Sequence, residues 1–320
     1  MTNVWIVTRN LTDEMADKLD ITNLTAENDN NFFEAIKIKI GFKKIGINAK
    51  IVTMGELGSE LVIAKTPKNK LPDIVVIRCM LHHMGEVNTI NALCNHNIIV
   101  MNNPKSQTLC IDKWGQYRQL KAFGVSIPTT TAVPIYATSE EINTAIIREK
   151  LSFPIVVKSN CGSRSDTVFK CNSVDEILEC AQKINIIYPF SKIMILQEWI
   201  NHNPKGVISV LTLGDKIVAA QQRTANKKID FFISNYRKDC NRCAYEITNK
   251  LRRLVLEAIK VIGNIEMSRL DVLYDGQNYL ICEINSPGAF TAFNNFMGID
   301  CGLMIAEYAL ERYKKDNKLI

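Results

Sequence analysis

Two carboxylates and an amide, Asp271, Glu283 and Asn285, stand in a segment that reads S-R-L-D-V-L-Y-D-G-Q-N-Y-L-I-C-E-I-N-S-P-G from Ser268 to Gly288. Glu283 and Asn285 are two residues apart in a β-rich run, so both side chains leave a strand on one face. Asp271 belongs to the preceding run, across a turn signalled by Asp275-Gly276. A two-residue turn would put Asp271 on the face opposite Glu283, so convergence requires a loop of odd length or a bulge. Three hard oxygen donors gathered in this way suit magnesium, and they leave positions open for phosphate oxygens and water. The bland alternative is an ordinary hairpin with polar residues facing solvent, because acidic residues are common on edge strands. Against it, Glu283 is flanked by Tyr279, Leu280, Ile281, Cys282 and Ile284, a run apolar enough to be buried. A buried carboxylate without a partner is costly, and a bound cation would offset that cost.

Phe153-Pro-Ile-Val-Val-Lys158 is an apolar strand pattern ending in a lysine, which could meet a phosphate as a point charge. The small and polar residues from Ser159 to Thr167 follow, a loop that could offer backbone N–H groups to phosphates. It matches no P-loop and carries one glycine, so a surface lysine beside a plain hairpin turn is the competing reading. Ile193-Met-Ile-Leu-Gln-Glu-Trp-Ile200 reads as a strand leaving its sheet, with backbone groups free for an adenine edge; a strand end at a domain hinge looks the same.

The elements that must position these residues are legible from periodicity. The first third alternates strands at Val4–Thr8, Ala49–Thr53, Ile74–Arg78 and Ile98–Met101 with helices at Phe32–Ile45 and near Glu86–His96. Such alternation implies a parallel sheet with helices on its faces. The polar stretches Thr12–Asn31 and Lys65–Pro72 read as loops. Asn103-Pro104 signals a helix start, and a second helix runs from Asp112 to Gly124. An α+β region follows, with strands at Thr131–Ile135, Ile155–Ser159 and Thr167–Lys170. Its helices open on the capping boxes Thr138-x-x-Glu141 and Ser173-x-x-Glu176. Strands at Ile193–Glu198, Val207–Leu213 and Lys216–Gln222, a helix over Tyr245–Ile262, the hairpin Ser268–Tyr274 with Tyr279–Asn285, and a helix over Asp300–Lys314 complete the chain. The expected division is 1–103, 104–192 and 193–320.

The chain of 320 residues is 47% hydrophobic and 22% charged, the composition of a globular protein with more than one core. Its net charge of +6 is dispersed, which argues against a nucleic-acid footprint. Polar residues follow Val4–Val7 too soon for a signal-peptide core, and no apolar run is long enough for a membrane helix. The ten cysteines are scattered as in a reducing cytoplasm, so a cytoplasmic location is expected. Cys79, His82, His83, Cys94 and His96 resemble a zinc set in composition but fit no common finger spacing. Cys240-x-x-Cys243 reads as two free thiols in a polar loop. Lys227, Lys228, Arg237, Lys238 and Arg242 read as a solvated basic loop that could also meet an acidic substrate.

The order Asp112-Lys113, Pro154-Ile-Val-Val-Lys158, Gln197-Glu198-Trp199-Ile200, Asp271, then Glu283-Ile-Asn285 resembles the ATP-grasp superfamily, and within it the RimK-type ligases and glutathione synthetase relatives. The similarity runs over roughly residues 72–310, and the N-terminal region is compatible with that family's pre-ATP-grasp domain. The resemblance implies an ATP-grasp fold and a ligase that makes an amide through an acyl-phosphate, joining an amino acid to a peptide, a protein or a small carboxylate. It implies ATP and two magnesium ions, with manganese as a substitute, as cofactors. By the same resemblance Lys113 and Lys158 contact the ATP phosphates, Gly162, Ser163 and Arg164 belong to the loop over them, and Gln197, Glu198, Trp199 and Ile200 hold adenine. Asp271, Glu283 and Asn285 bind the metals. Arg223 faces the acyl-phosphate with Lys158, and Asn235 falls on the acceptor side. No nucleic-acid or membrane partner is expected, and the family's frequent dimers and tetramers admit a homo-oligomer.

Four departures stand out. The phosphate loop keeps only Gly162, and Val207-Ile-Ser209 replaces an Asp-x-Arg. Thr224 replaces the second arginine of an Arg-Arg pair, and Asn285-Ser-Pro-Gly288 is one residue shorter than Asn-x-x-Pro-Gly. Two other readings follow: a dipeptide or glutathione-like small-molecule ligase, and a non-catalytic nucleotide-binding regulator such as the synapsins.

Overall fold

The computed structural model describes residues 2–19, 30–162, 166–201, 206–225, 240–263 and 265–317. Four short apolar strands, β1 (Val4–Thr8), β2 (Ala49–Thr53), β3 (Ile74–Ile77) and β4 (Ile99–Met101), form an all-parallel sheet in the order β2-β1-β3-β4. All of β3 and β4 is buried, as continuous apolar runs in a parallel sheet must be. Around it lie α1 (Asp13–Lys18), α2 (Asn30–Lys44), α3 (Met54–Leu57), α4 (Glu60–Lys65) and α5 (Met84–Asn95). The expected loop at 12–31 thus holds α1, whose six residues are too few to show a period but which Thr12 caps through its side chain. Helices α3 and α4 escape sequence reading for the same reason.

Two helices, α6 (Pro104–Ile111) and α7 (Lys113–Ala122), lead out of this unit, started by Asn103-Pro104 and by Asp112 as expected. The next sheet is antiparallel, in the order β5-β8-β6-β7, from β5 (Thr130–Pro134), β6 (Ile155–Ser159), β7 (Val168–Cys171) and β8 (Ile193–Glu198). Its helices α8 (Ser139–Arg148) and α9 (Val174–Ile187) cover one face. The Thr138 box forms in full. The second forms by half: Ser173 caps Glu176 N–H, but the Glu176 carboxylate turns to the Asn172 N–H at 2.8 Å. β8 lies between β5 and β6, so the expected boundary at 192/193 falls just ahead of a central strand.

The third sheet has the order β11-β10-β9-β12-β13, built from β9 (Val207–Leu213), β10 (Lys216–Ala225), β11 (Cys240–Ala244), β12 (Met267–Tyr274) and β13 (Tyr279–Asn285). Cys240-x-x-Cys243 therefore lies on an edge strand, not in a loop, and residues three apart on a strand point to opposite faces. One face of the sheet packs Ile208, Val210, Ala220, Leu270, Val272, Ile281 and Ile284 against α10 (Asn249–Val261), whose start is four residues later than expected because Thr248 is its N-cap. On the other face Leu211, Leu213, Ala219 and Met267 join the core of the parallel sheet. After β13 come α11 (Thr291–Met297) and α12 (Cys301–Asp316). Helix α12 returns to the N-terminal unit and packs on α2 so closely that a Cβ at Gly302 would lie 2.2 Å from the Lys37 carbonyl oxygen. Among the described residues no helix is long and apolar enough to cross a membrane.

Candidate active site

The face of the third sheet that is apolar near the parallel sheet becomes polar one step along its strands. Register aligns Gln221, Ser209, Asp271 and Glu283 side by side on β10, β9, β12 and β13. Asp271 pairs directly with Glu283, while the next pair is Val272 with Ile281. Cys282 is the extra residue, a bulge that puts the two carboxylates on one face as their convergence required. Asn285 lies in the adjoining row, opposite Arg269.

Each carboxylate already faces a cation of the chain. Asp271 Oδ1 accepts hydrogen bonds from Ser209 Oγ at 2.5 Å and Arg223 Nη2 at 2.7 Å. Burial alone would raise the Asp271 pKa, but Arg223, Arg269 and the Ser209 hydrogen bond outweigh it and hold the carboxyl below its ordinary range. Burial lowers Arg223 from its usual value, against the pull of Asp271. Glu283 Oε1 lies 2.9 Å from Lys113 Nζ, which also donates to the Gly162 carbonyl at 2.8 Å. Burial would lower the Lys113 pKa, yet Glu283 more than offsets it, so the ammonium is raised and stays charged.

Helix α7 ties this sheet to the neighbouring one. Lys113 and Tyr117 are four apart and share a helix face. Tyr117 Oη donates to the Cys282 carbonyl at 2.5 Å and accepts from Lys158 Nζ at 2.6 Å. Burial pushes its phenol well above the ordinary value, so it remains a neutral relay. Gln116 clamps β13 from the same helix, exchanging two 2.9 Å hydrogen bonds with the backbone of Ile284. Lys158 also donates to Gln197 Oε1 at 2.9 Å, and Gln197 Nε2 donates to Thr130 Oγ1 at 2.8 Å. The lysine at the end of β6 is therefore buried and aimed, not a surface lysine.

The structure brings together Lys113, Lys158, Gly162, Arg223, Asp271, Glu283 and Asn285, with Gln197 against Lys158. Ser163, Arg164 and Asn235 lie outside the described residues, as do Lys227, Lys228, Arg237 and Lys238. At Gln197 and Glu198, where free backbone was expected, the Glu198 N–H is already taken. Gln197 pairs with Thr130 and Val156, and Glu198 N–H donates to the Thr129 carbonyl at 2.8 Å, because β8 is an interior strand to its last residue. The chain leaves the sheet at Trp199, over whose ring Lys170 Nζ lies 4.6 Å from the centroid. Gly162 has φ +125°, and a Cβ there would meet the Tyr188 ring at 2.9 Å, so the single glycine of the loop is where one is required. Cys79 and His82 precede α5 whereas Cys94 and His96 lie at its far end, about 18 Å of helix away, which separates the zinc-like residues.

The donor set fits a hard divalent ion. Among the described residues Asp271 Oδ2 accepts no hydrogen bond, so its lone pairs are available to a cation. Among the same residues Asn285 Nδ2 is a buried donor without a partner, which an acceptor oxygen would satisfy and a cation would not. Sequence reasoning missed Ser209, Tyr117, Gln116 and Arg269. The helical spacing from Lys113 could have found Tyr117, and the two-residue spacing to Asp271 could have found Arg269. Ser209 occupies the position where a charged residue had been looked for, and it serves the carboxylate instead.

The chain is similar to known proteins in sequence and in fold. A family model described as the RimK-like ATP-grasp domain matches residues 110–309, more than half of the chain. N-acetylaspartylglutamate synthase A of Mus musculus is 24% identical over 281 residues, covering 85% of this chain and 70% of that protein. A probable alpha-L-glutamate ligase of Mannheimia succiniciproducens is 24% identical over 221 residues, covering 68% of this chain and 69% of its own length. In fold, the D-alanine–D-alanine ligase of Bacillus anthracis complexed with ATP superimposes with a TM-score of 0.69 at 16% identity, over 98% of this chain and 99% of that one.

Proposed function

Because the chain belongs to the RimK-like ATP-grasp family of carboxylate–amine ligases, we propose that the polar face between its two antiparallel sheets activates a carboxylate with ATP and joins it to the amine of an amino acid. The names of the two relatives, each a ligase or synthase of a glutamate-containing product, support an amino acid as one partner. The observation that carries the reading is the unbroken row Gln221–Ser209–Asp271–Glu283, ended by Lys113 and faced by Lys158 across α7.

A carboxylate is a poor acylating agent because its leaving group would be oxide. Its oxygen attacks the γ-phosphorus of ATP, the bond to the β-phosphate oxygen breaks, and ADP leaves an acyl-phosphate. The amine nitrogen then attacks the acyl carbon, the carbon–oxygen bond to phosphate breaks, and phosphate and a proton depart. Little covalent work falls to the protein, and positioning with charge neutralisation is what it supplies. Lys113 and Lys158 are aimed by Glu283, Gly162, Tyr117 and Gln197 to meet phosphate oxygens. Arg223, buried and anchored on Asp271, is placed to face the charge on the acyl-phosphate. On family resemblance Gly162, Ser163 and Arg164 are assigned to the phosphate loop, and Gln197 to Ile200 to the border of the adenine. Two magnesium ions, or manganese in their place, held by Asp271, Glu283 and Asn285 would neutralise charge on the transferring phosphoryl group. Asn235 is assigned to the acceptor side on family resemblance. We further propose that the division between the second and third units falls after Glu198.

The test is to incubate the protein with ATP, magnesium and pooled amino acids and small carboxylates, following ADP and product mass. Glu283→Ala should lower substrate-dependent ADP release at least about a hundredfold while the protein still folds, at some cost in melting temperature because Lys113 loses its carboxylate. Full activity in that variant would remove the assignment of this face.

A further inference from the structure

On the face that carries the oxygen donors, four residues make a two-by-two array. Asp271 lies opposite Glu283, and Arg269 lies opposite Asn285. Donors hold three corners, and a guanidinium holds the fourth. Arg269 has no carboxylate to itself: its Nη2 lies 3.6 Å from Asp271 Oδ2, outside hydrogen-bond reach. Among the described residues its Nε is buried with no hydrogen-bond partner, while 25% of the side chain is exposed. The backbone beneath it is fixed, because a Cβ at Gly288 would come within 2.4 Å of the Arg269 nitrogen. A strand position two residues from a metal carboxylate would ordinarily be neutral, since a like charge there opposes the ion.

We propose that Arg269 is a positioning residue that stands in for the metal at Asp271 Oδ2, so that a divalent ion enters together with the nucleotide and not before it. The inference rests on Asp271, Glu283 and Asn285 being the metal ligands. A guanidinium and a divalent cation repel each other when both face one carboxylate oxygen, so the resident arginine weakens binding of the bare ion. Phosphate oxygens change the balance, because they offer the guanidinium planar, charge-assisted partners that a single distant carboxylate oxygen does not. Arg269 then turns to the anion and Oδ2 is released. The companion carboxylate is arranged in the same way, with Glu283 Oε1 held at 2.9 Å by Lys113 until phosphate draws that lysine off. Each of the two carboxylates thus faces a cation that nucleotide can draw off, although Asp271 stays held through Oδ1 by Ser209 and Arg223. Metal and nucleotide affinities become coupled, and the coupling is reciprocal.

The experiment measures Mn2+ binding to the full chain by electron paramagnetic resonance, without nucleotide and with ADP. Arg269→Gln removes the charge and Arg269→Lys keeps it. Without nucleotide, Arg269→Gln should bind Mn2+ roughly tenfold more tightly than the parent, and Arg269→Lys should stay within about twofold of it. The enhancement of Mn2+ binding by ADP should shrink in Arg269→Gln. Equal nucleotide-free affinity in the parent and Arg269→Gln overturns the proposal. So does equal tightening in both variants, which would trace the effect to packing instead of charge. Asp271→Asn separates the two levels of the argument. If it loses Mn2+ binding, the metal site stands and only the Arg269 result judges the inference. If it binds Mn2+ like the parent, the metal assignment falls and the inference with it.

Discussion

Glu34 and Asp271 are both buried carboxylates that face an arginine, and the fold treats their remaining oxygens in opposite ways. Glu34, on α2, is bonded to Arg78 through Oε2, while its Oε1 accepts from Phe290 N, Thr291 N and Thr291 Oγ1 at 2.5, 2.8 and 2.8 Å. Both oxygens are saturated, and the pair closes the seam between the parallel sheet and the loop after β13. Among the described residues Asp271 bonds Ser209 and Arg223 through Oδ1 alone, and its Oδ2 faces only Arg269 at 3.6 Å. A buried carboxylate with every lone pair used is there to hold the chain together. One with an oxygen left without a hydrogen bond among the described residues is, in the reading proposed above, there for something that arrives. The difference matters because burial, charge and an arginine partner are common to both, and only the satisfaction of the second oxygen separates structure from function.

The largest effect that would break this comparison lies at the saturated pair. Glu34→Gln leaves Arg78 buried and uncompensated, so unfolding free energy should fall by roughly 3–5 kcal/mol, a large part of the stability of an ordinary domain. ADP release per folded molecule should stay within about twofold of the parent, because that pair contacts no reacting group. Denaturant titration and a turnover assay on one preparation would show both. A stable protein that has lost turnover would make Glu34 the functional carboxylate and reverse the distinction.

This distinction was only half legible in the sequence. The metal hairpin could be read because three oxygen donors fall at strand spacing and because the need for a bulge follows from the two-residue period. Nothing local marks Glu34, which sits in a helix among Phe33, Ala35 and Ile36 and finds its partners more than 250 residues away, at Phe290 and Thr291. Long, periodic elements such as α2, α9, α10 and α12 were visible, and so was the Ser173 cap of α9, but not the Thr248 cap of α10. The short helices α1, α3, α4 and α11 were not, because one or two turns carry no period and tertiary packing decides them. The edge strand β11 was hidden by its polar composition, since an edge strand needs no apolar face on its outer side. At the site, Lys158 was legible as the charged end of an apolar strand, and Lys113 only through the family resemblance. The relay through Tyr117 depends on where α7 crosses two sheets, which no local pattern records.

A matched pair of smaller changes sharpens the comparison. Thr291→Ala and Ser209→Ala each delete one hydroxyl donor to a buried carboxylate, from 2.8 Å on Glu34 and 2.5 Å on Asp271. Each should cost about 1–2 kcal/mol of stability, as hydrogen bonds to charged groups do. Only Ser209→Ala should also slow ADP release, by about tenfold, because it loosens a carboxylate proposed to receive a cation. Equal loss of turnover in both variants would show that the seam and the site act as one unit.

The smallest effect is a titration. Burial would by itself raise Asp271, but Arg223 and Arg269 reverse the sign and hold it below its ordinary 3.8. A carboxyl whose folded-state pKa is depressed contributes stability that is fully present above the unfolded value and is lost as pH falls through the folded one. Between pH 7 and about pH 4.5, the unfolding free energies of the parent and Asp271→Asn should therefore run parallel. Below 3.8 the parent should approach the variant, at no more than about 1.4 kcal/mol per pH unit. Convergence that began well above pH 5 would mean that Asp271 takes up its proton early. Its arginines would then be failing to hold it ionised, and the oxygen kept in reserve would be a hydroxyl instead of a ligand.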